Sequence, residues 1–333
     1  MVKVLVTGGA GYIGSHIVKI LGEKGYDILI YDNLSKGHKE AILYGKLIIG
    51  DLKDKSLLSK VLSSYKPDIV IHMAAFIEAG LSVKDPVLFY KNNRSNTINL
   101  ISTMLEHNIR KFIFSSTAAI FGNPEYIPID EDHPIKPINP YGYSKAFIED
   151  ILYDLSFKND FFGERVENFN YVSLRYFNAA GADPSGKIGE SHNPETHLIP
   201  LVLKTAKGER AYITIYGTDY PTEDGTAIRD YIHVNDLGQL HVLAMEYLLD
   251  GGKSNYFNCG YGRGYSVKEI IDISKKVTGK DFPIKLGERR EGDPSILIAD
   301  NKKIKRELSW EPSYDDITLI IQTAWNWELK RRY

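Results

Sequence analysis

Val4-Leu5-Val6-Thr7-Gly8-Gly9-Ala10-Gly11-Tyr12-Ile13-Gly14 is the stretch that decides the fold. Val2 to Val6 is an apolar run and reads as a buried strand. It ends in a glycine-rich turn, after which Ile13, Ile17, Ile20 and Leu21 recur at helical spacing on one face. The glycines stand at i, i+3 and i+6, a G-x-x-G-x-x-G order in place of the commoner G-x-G-x-x-G. Gly8 permits a tight turn, Gly11 lets backbone N–H groups approach a pyrophosphate, and Gly14 lets the helix pack close to the strand. A loop that merely turns the chain carries the same glycines, so the segments that follow must decide.

They continue in a regular alternation. A helix is expected over Tyr12 to Glu23, stopped by Gly25, then a strand at Asp27 to Tyr31 that ends on Asp32. Asp32 is either a loop aspartate opening a turn or a carboxylate that accepts from the adenosine ribose hydroxyls. In the second role it repels a 2′-phosphate and selects NAD over NADP. Strands are expected at Lys46 to Ile49, Asp68 to His72, Arg110 to Ser115 and Tyr171 to Arg175. Helices are expected at Asp54 to Ser63, Pro86 to Glu106 and Tyr141 to Phe157. This rhythm implies an α/β fold, a doubly wound parallel sheet of the Rossmann type. Gly8, Asp32, Asp51, Ala74 and Ser116 fall at the carboxyl ends of its strands, where such sheets bind ligands.

After about Asn178 the rhythm degrades into a loop rich in Gly, Pro, Ser and Asp, from Ala179 to Glu195. Helices follow near Ile199 to Lys207, Asn235 to Leu249, Val267 to Thr278 (with Ser266 as N-cap) and Asp315 to Lys330, with one strand near Tyr212 to Tyr216. The 333 residues therefore divide into a dinucleotide-binding domain, 1–178, and a smaller mixed α/β C-terminal substrate domain, 179–333. There are 41 Lys plus Arg against 43 Asp plus Glu, which gives no reason to expect nucleic acid or a membrane surface as partner. No apolar run is long enough to span a bilayer. The one cysteine, Cys259, has no internal disulfide partner and fits a reducing compartment. The chain opens on its first strand with no signal-peptide pattern before it, so a cytoplasmic location is expected.

The chemistry concentrates in Pro140-Tyr141-Gly142-Tyr143-Ser144-Lys145. Tyr141 and Lys145, four apart at a helix start, share a face. An unperturbed phenol, with a pKa near about 10, needs roughly 4 kcal/mol of electrostatic help to act as a base at neutral pH. A neighbouring ammonium and an oxidised nicotinamide both push that way. Tyr143 points to another face. Thr117, just past the strand at Arg110 to Ser115, offers a hydroxyl to the reacting oxygen, or else satisfies the backbone as the strand ends. An ordinary amphipathic helix with a snorkelling lysine accounts for Tyr-x-x-x-Lys alone, but not for its place after a Rossmann pattern.

On these residues the chain resembles the extended short-chain dehydrogenase/reductases, and within them the UDP-glucose (UDP-galactose) 4-epimerases. Further stretches carry the resemblance: Leu174 to Ala182, Tyr220 to Thr226, Arg229-Asp230-Tyr231-Ile232-His233-Val234 and Arg289-Arg290-Glu291-Gly292-Asp293. The resemblance implies that NAD stays bound through turnover. Tyr141 then removes the proton of the sugar 4-hydroxyl as hydride leaves C4, and the 4-keto sugar rotates and takes the hydride back on its other face. It implies that Lys145 lowers the Tyr141 pKa and that Thr117 helps the proton move and touches the substrate. Matching residue by residue, the cofactor is lined by Gly8, Gly11, Tyr12, Ile13, Gly14, Asp32, Asn33, Ser35, Lys36, Gly37, Asp51, Leu52, Met73, Ala74, Ala75, Asn92, Tyr141, Lys145 and Phe177. Arg229 and Arg290 match a diphosphate clamp, for which a guanidinium fork is suited. Asn178, Leu198, Tyr216 and Asp293 match nucleotide and sugar contacts. UDP-glucose and UDP-galactose are the implied substrates, UDP-N-acetylhexosamines or UDP-pentoses the alternatives, and a homodimer the implied assembly.

Departures narrow the reading. Ala118 and Ala119 stand where the related 4,6-dehydratases place an Asp-Glu pair, so dehydration lacks its acid. Ile77 and His197 stand where some epimerases carry lysine and asparagine. Leu297, at the position that gates room for an N-acetyl group, is intermediate between the Tyr and the small residues found there. A metal site is not expected: His192, Glu195 and His197 cluster, but in a loop and without His-Glu-x-x-His spacing. His72 reads as a satisfied core histidine, and Cys259 as core with no partner for nucleophilic work. A non-catalytic NAD sensor would need neither Tyr141 nor Lys145.

Overall fold

The structure is a computed structural model that describes residues 1–157, 168–290 and 292–333. The chain forms two units. The first comprises Met1–Phe121, Ile135–Arg175 and Gly238–Phe257, and the second Gly122–Pro134, Tyr176–Leu237 and Asn258–Tyr333. The passage at Arg175 to Tyr176 falls three residues before the expected boundary at 178. Two further segments cross over: 122–134 leaves the first unit early, and 238–257 returns to it late.

The first unit is built on β1 (Lys3–Thr7), β2 (Asp27–Asp32), β3 (Lys46–Ile49), β4 (Ile69–His72), β5 (Lys111–Thr117) and β6 (Asn170–Tyr176). With strand Asn255–Cys259 they make a seven-stranded sheet, in which β3, β2, β1, β4, β5 and β6 stand in that order and Asn255–Cys259 closes the far edge. The pairings from β3 through β5 are parallel, with Val4 opposite Ile28 and Ile69. This is the doubly wound α/β sheet that the alternation predicts. Its apolar runs are buried on both faces: Val4, Leu5, Val6, Ile69, Val70, Ile71, Phe112 and Ile113 have no exposed surface.

Glycine makes the first crossover possible. Gly8 turns the chain at φ 73°, and α1 (Tyr12–Glu23) begins straight after the turn. A Cβ at Gly14 would lie 2.2 Å from the Gly8 carbonyl oxygen, and one at Gly8 would lie 2.5 Å from the Ala74 nitrogen. Only bare backbone fits at either position. α2 (Lys55–Tyr65) is capped by Asp54, whose carboxylate accepts from the Leu57 N–H at 3.0 Å.

The helix expected over Pro86 to Glu106 is not regular. A wide π-helical turn, Tyr90–Ser95, separates Pro86–Phe89 from Asn96–Glu106. The turn carries Asn93 into the interior. There its amide accepts from the Phe76 N–H at 2.8 Å and donates to the Phe76 carbonyl at 2.8 Å. Hydrophobic spacing does not register such an insertion, because it is fixed by one polar side chain. A short helix, Ala79–Lys84, also escaped the sequence reading.

The second unit has helices Leu198–Ala206, Val267–Thr278, Lys302–Leu308 and Ile317–Lys330. Ser266 caps Val267–Thr278 in a full capping box with Glu269. Strand Ile228–His233, unforeseen from its polar composition, pairs with Gly264–Ser266, Ile296–Leu297 and Asn178–Ala180. Ile284–Gly287 pairs with Ile213–Tyr216. Helix Asn235 to Leu249, expected in the substrate domain, runs as Val234–Leu249 and belongs mostly to the first unit. Among the described residues no helix is long and apolar enough to cross a membrane.

Gly14→Ala should destabilise the fold by about 2 kcal/mol, because the contact it meets is backbone that cannot rotate away. Urea unfolding reads this directly, and an unchanged midpoint would contradict the account of the turn.

Candidate active site

The carboxyl ends of β1, β2 and β4 open into one cleft of about 610 Å³, part of it open to solvent. Of the expected cofactor residues, Gly8, Gly11, Asp32, Asn33, Ser35, Lys36, Gly37, Asp51, Leu52, Met73, Ala74, Ala75 and Asn92 line it. Tyr31, Gly50, Phe76 and Asn96 line it too, and the sequence reading missed them. Asn96 is one helical turn beyond Asn92, across the π-helical insertion, so its place depends on an irregularity that periodicity hides. Tyr12, Ile13 and Gly14 form the first turn of α1 and, like Tyr141, Lys145 and Phe177, are not among the residues that line the cleft.

Asp32 is almost fully buried. One oxygen accepts from the Ala10 N–H at 3.0 Å and the other from the Leu34 N–H at 2.8 Å. It therefore ties the glycine turn to the end of β2. Burial pushes its carboxyl above the ordinary aspartate range, and the two N–H groups oppose that rise. Asp51 goes the other way. Its burial is outweighed by the Lys53 N–H, the Asn33 amide at 3.2 Å and the Lys53 ammonium, which together lower it. A Cβ at Gly11 would meet only the Gly8 carbonyl oxygen, at 3.4 Å, so the space beside its backbone is open.

Tyr141 and Lys145 stand on helix Pro140–Phe157 beside the end of β5. The Lys145 ammonium is buried and donates to the Ser115 carbonyl at 2.6 Å. Burial lowers it to about 7, against the pull of Glu149. Burial pushes the Tyr141 phenol up to about 12, and the carboxylate of Glu78 adds to the rise. A hydrogen bond with Thr117 lowers it. The structure thus brings Tyr141, Thr117 and Lys145 to one strand end, with Thr117 bonded to the phenol. The Lys145 ammonium, from which the resemblance implied a lower Tyr141 pKa, is bound to a carbonyl. The Tyr141 N–H donates to Ser82 Oγ at 3.1 Å, a contact that no motif announces.

His72 is the satisfied core histidine expected. Its ring nitrogens meet Thr7 Oγ1 at 2.7 Å and Thr97 Oγ1 at 2.8 Å, and burial lowers it to about 3. The Cys259 thiol is buried and raised by burial, which suits no nucleophile.

In the second unit Arg229 bonds Asp293 and the carbonyls of Ile228 and Pro294, each carbonyl at 2.7 Å. The Arg290 guanidinium lies 4.2 Å above the Tyr216 ring. Leu297 sits opposite Arg229 in the strand register. Leu198 opens helix Leu198–Ala206 and packs against the cluster of Val202, Ile213, Ile215, Ile271 and Phe282. Phe177 and Asn178 follow β6, Asn178 opening the strand that pairs with Ile228–His233. Glu291 lies outside the described residues.

The loop before Leu198 gathers Glu190, His192, Glu195 and His197, whose potential ligand atoms all lie within 4.8 Å of one another. Two of these contacts have hydrogen-bond lengths: His197 Nδ1 to Glu190 at 2.6 Å and His192 Nδ1 to Glu190 at 3.0 Å. Despite their burial, the carboxylates push His192 up to about 9 and raise His197 as well. The 40% exposure of His197 screens its share. As they stand, the two histidines pair with the two carboxylates, and the same two imidazoles and two carboxylates form a donor set that could hold a metal ion.

A model of the NAD dependent epimerase/dehydratase family matches residues 4–260. UDP-glucose 4-epimerase of Rhizobium meliloti is 49% identical over 329 residues, 99% of this chain and 98% of that protein. The crystal structure of the Brucella ovis UDP-glucose 4-epimerase in complex with NAD is 42% identical and covers 98% of each chain, with a TM-score of 0.91. The UDP-Glc/GlcNAc 4-epimerase of Campylobacter jejuni is 44% identical with a TM-score of 0.85, over 99% of this chain and 100% of that one.

The four-residue cluster carries a pH signature. A histidine with a raised pKa adds stability that is full below its ordinary 6.5 and is lost as pH rises through about 9. The urea midpoint should therefore fall between pH 7 and pH 10, and His192→Gln should flatten that slope. An equal slope in the variant would show that the cluster is not the source.

Proposed function

The chain belongs to the NAD-dependent epimerase/dehydratase family, and from that premise we propose that it interconverts UDP-glucose and UDP-galactose by oxidation at C4, turning over of the 4-keto sugar and re-reduction. The observation that carries the reading is the meeting of Tyr141, Thr117 and Lys145 in the unit that holds the glycine cradle. NAD is the cofactor, and the cleft fits it. The backbone beside Gly11 is open, Asp32 ends β2 as a buried acid, and polar side chains line the walls. Bound there, NAD supplies the two-electron acceptor and donor for C4.

The chain's own residues handle the proton. Tyr141 takes it from the 4-hydroxyl at its phenolic oxygen, with Thr117 bonded to that oxygen. A phenol raised by burial needs positive charge nearby before it can act at neutral pH, and the cationic nicotinamide ring is a charge of that sign. Lys145, held by the Ser115 carbonyl, keeps its ammonium at the strand end. Ala118 and Ala119 offer no acid to expel a leaving group, so the keto sugar is retained. In the second unit Arg229 and Arg290 are assigned to the diphosphate, and Asn178, Leu198, Tyr216 and Asp293 to the nucleotide and sugar. Asp293 and Tyr216 already orient the two arginines.

A second reading, activity on UDP-N-acetylhexosamines, has one observation in its favour: the 44% identical Campylobacter jejuni relative is named for both sugars. Leu297, opposite Arg229, is the residue assigned to that choice. A homodimer in the cytoplasm completes the proposal. Leu81, Val83, Val87, Leu88 and Ile98 are exposed on the helices between 79 and 106, and Tyr143 and Tyr153 on Pro140–Phe157, an apolar face suited to a second copy.

Tyr141→Phe should lower epimerase turnover at least ~100-fold while the protein keeps its NAD. Turnover near that of the parent would remove Tyr141 as the base. Leu297→Gly should raise the rate on UDP-N-acetylgalactosamine relative to UDP-galactose, and an unchanged ratio would remove Leu297 as the gate.

A further inference from the structure

Lys36 follows β2 and lines the cleft. Glu78 follows β4 at the start of helix Ala79–Lys84. Between those strands lies β1 with its glycine turn. The Lys36 ammonium reaches the Glu78 carboxylate at 2.8 Å, and the second Glu78 oxygen accepts from the Ile77 N–H at 3.1 Å. The carboxylate is mostly buried, with 13% of the side chain exposed. Neither residue takes part in the proton transfer, and Glu78 matches no motif of the chain.

We propose that the Lys36–Glu78 ion pair is a strap across the cofactor cleft, and that it makes Glu78 a positioning residue for the charge on Tyr141. The inference rests on the epimerase reading above and extends it. Topology supplies the first half. The pair joins the segments that follow β2 and β4 on either side of the Gly8 turn, Lys36 lining the cleft and Glu78 standing two residues past Phe76, which also lines it, so a dinucleotide on that turn leaves by breaking it. The surroundings of Tyr141 supply the second half. Thr117 faces the phenol from the end of β5, and Glu78 acts on it from the 79–84 helix, whose Ser82 accepts the Tyr141 N–H. Lys145 stands one turn along the same helix as Tyr141, and Lys36 acts through Glu78. The Glu78 carboxylate opposes ionisation of Tyr141; burial raises the Glu78 carboxyl, and the Lys36 ammonium beside it outweighs that and lowers it, and a cation so placed weakens the field of the carboxylate at a distance. The strap therefore both retains the cofactor and keeps a nearby carboxylate from working against the base.

The two partners predict opposite shifts, which a merely structural role would not. The test compares the holoenzyme with Lys36→Met, Glu78→Gln and Lys36→Arg. Retained NAD is followed after dilution, and kcat is followed against pH. Lys36→Met and Glu78→Gln should both lose NAD roughly fivefold faster. The acid limb of kcat should move up by about half a pH unit in Lys36→Met, where Glu78 is left unpaired, and down in Glu78→Gln. Lys36→Arg should restore both properties. NAD loss at the parent rate in both broken variants overturns the strap, and shifts of the same sign overturn the role of Glu78. A parent protein that holds no nicotinamide would instead overturn the epimerase reading on which the strap depends.

Discussion

The structure of the first unit depends on one close approach of backbone to backbone. Gly8, Gly14 and Ala74 come so near one another that a single Cβ at Gly8 or Gly14 would collide with a main-chain atom. Such a contact cannot be relieved by a rotamer change. It sets α1 against β1 and brings the end of β4 beside the turn. The Asp32 carboxylate holds the same turn from the other side through the Ala10 N–H. The turn therefore leads straight into the N-terminus of α1, an end that favours an anion without a charged side chain of its own.

Buried charge elsewhere in the molecule is met either by an opposite charge or by backbone N–H groups. Arg175 and Glu149 form a buried bidentate pair, with the guanidinium also 4.2 Å above the Tyr256 ring. Asp230 is fully buried and pushed up to about 6, and it accepts from three backbone N–H groups, those of Tyr261, Gly262 and Ala299. These groups fix loops and strand ends rather than add net stability, since a well-packed apolar substitute often does as well. The four-residue cluster of Glu190, His192, Glu195 and His197 follows the same rule, with its histidines facing its carboxylates.

The sheet was legible because its signal is local and repeated. Each apolar run, turn glycine and terminal acid from Val4 to Asp51 lies close in sequence to the residues it works with. The pairing of Tyr141 with Lys145 was legible for the same reason, as both stand within one helical turn. What escaped depends on distant partners. Asn93 breaks the helix between Pro86 and Glu106 because of Phe76, and Glu78 matters because of Lys36. Strand Ile228–His233 reads Ile-Arg-Asp-Tyr-Ile-His and pairs only because Gly264–Ser266, Ile296–Leu297 and Asn178–Ala180 come to it. The bond from Lys145 to the Ser115 carbonyl escaped as well, because spacing along the helix does not reveal a partner on β5.

The central claim is that the glycine cradle holds NAD as a resident group and not as an exchanging co-substrate, since the electrons taken from C4 return to the same sugar. The measurement is the nicotinamide released when protein purified without added cofactor is denatured. The account predicts about one NAD per chain, because an enzyme of net-zero redox change has no occasion to exchange it. Protein that releases none, yet epimerises only while NAD is supplied and reaches half its rate at an ordinary co-substrate concentration, would contradict it.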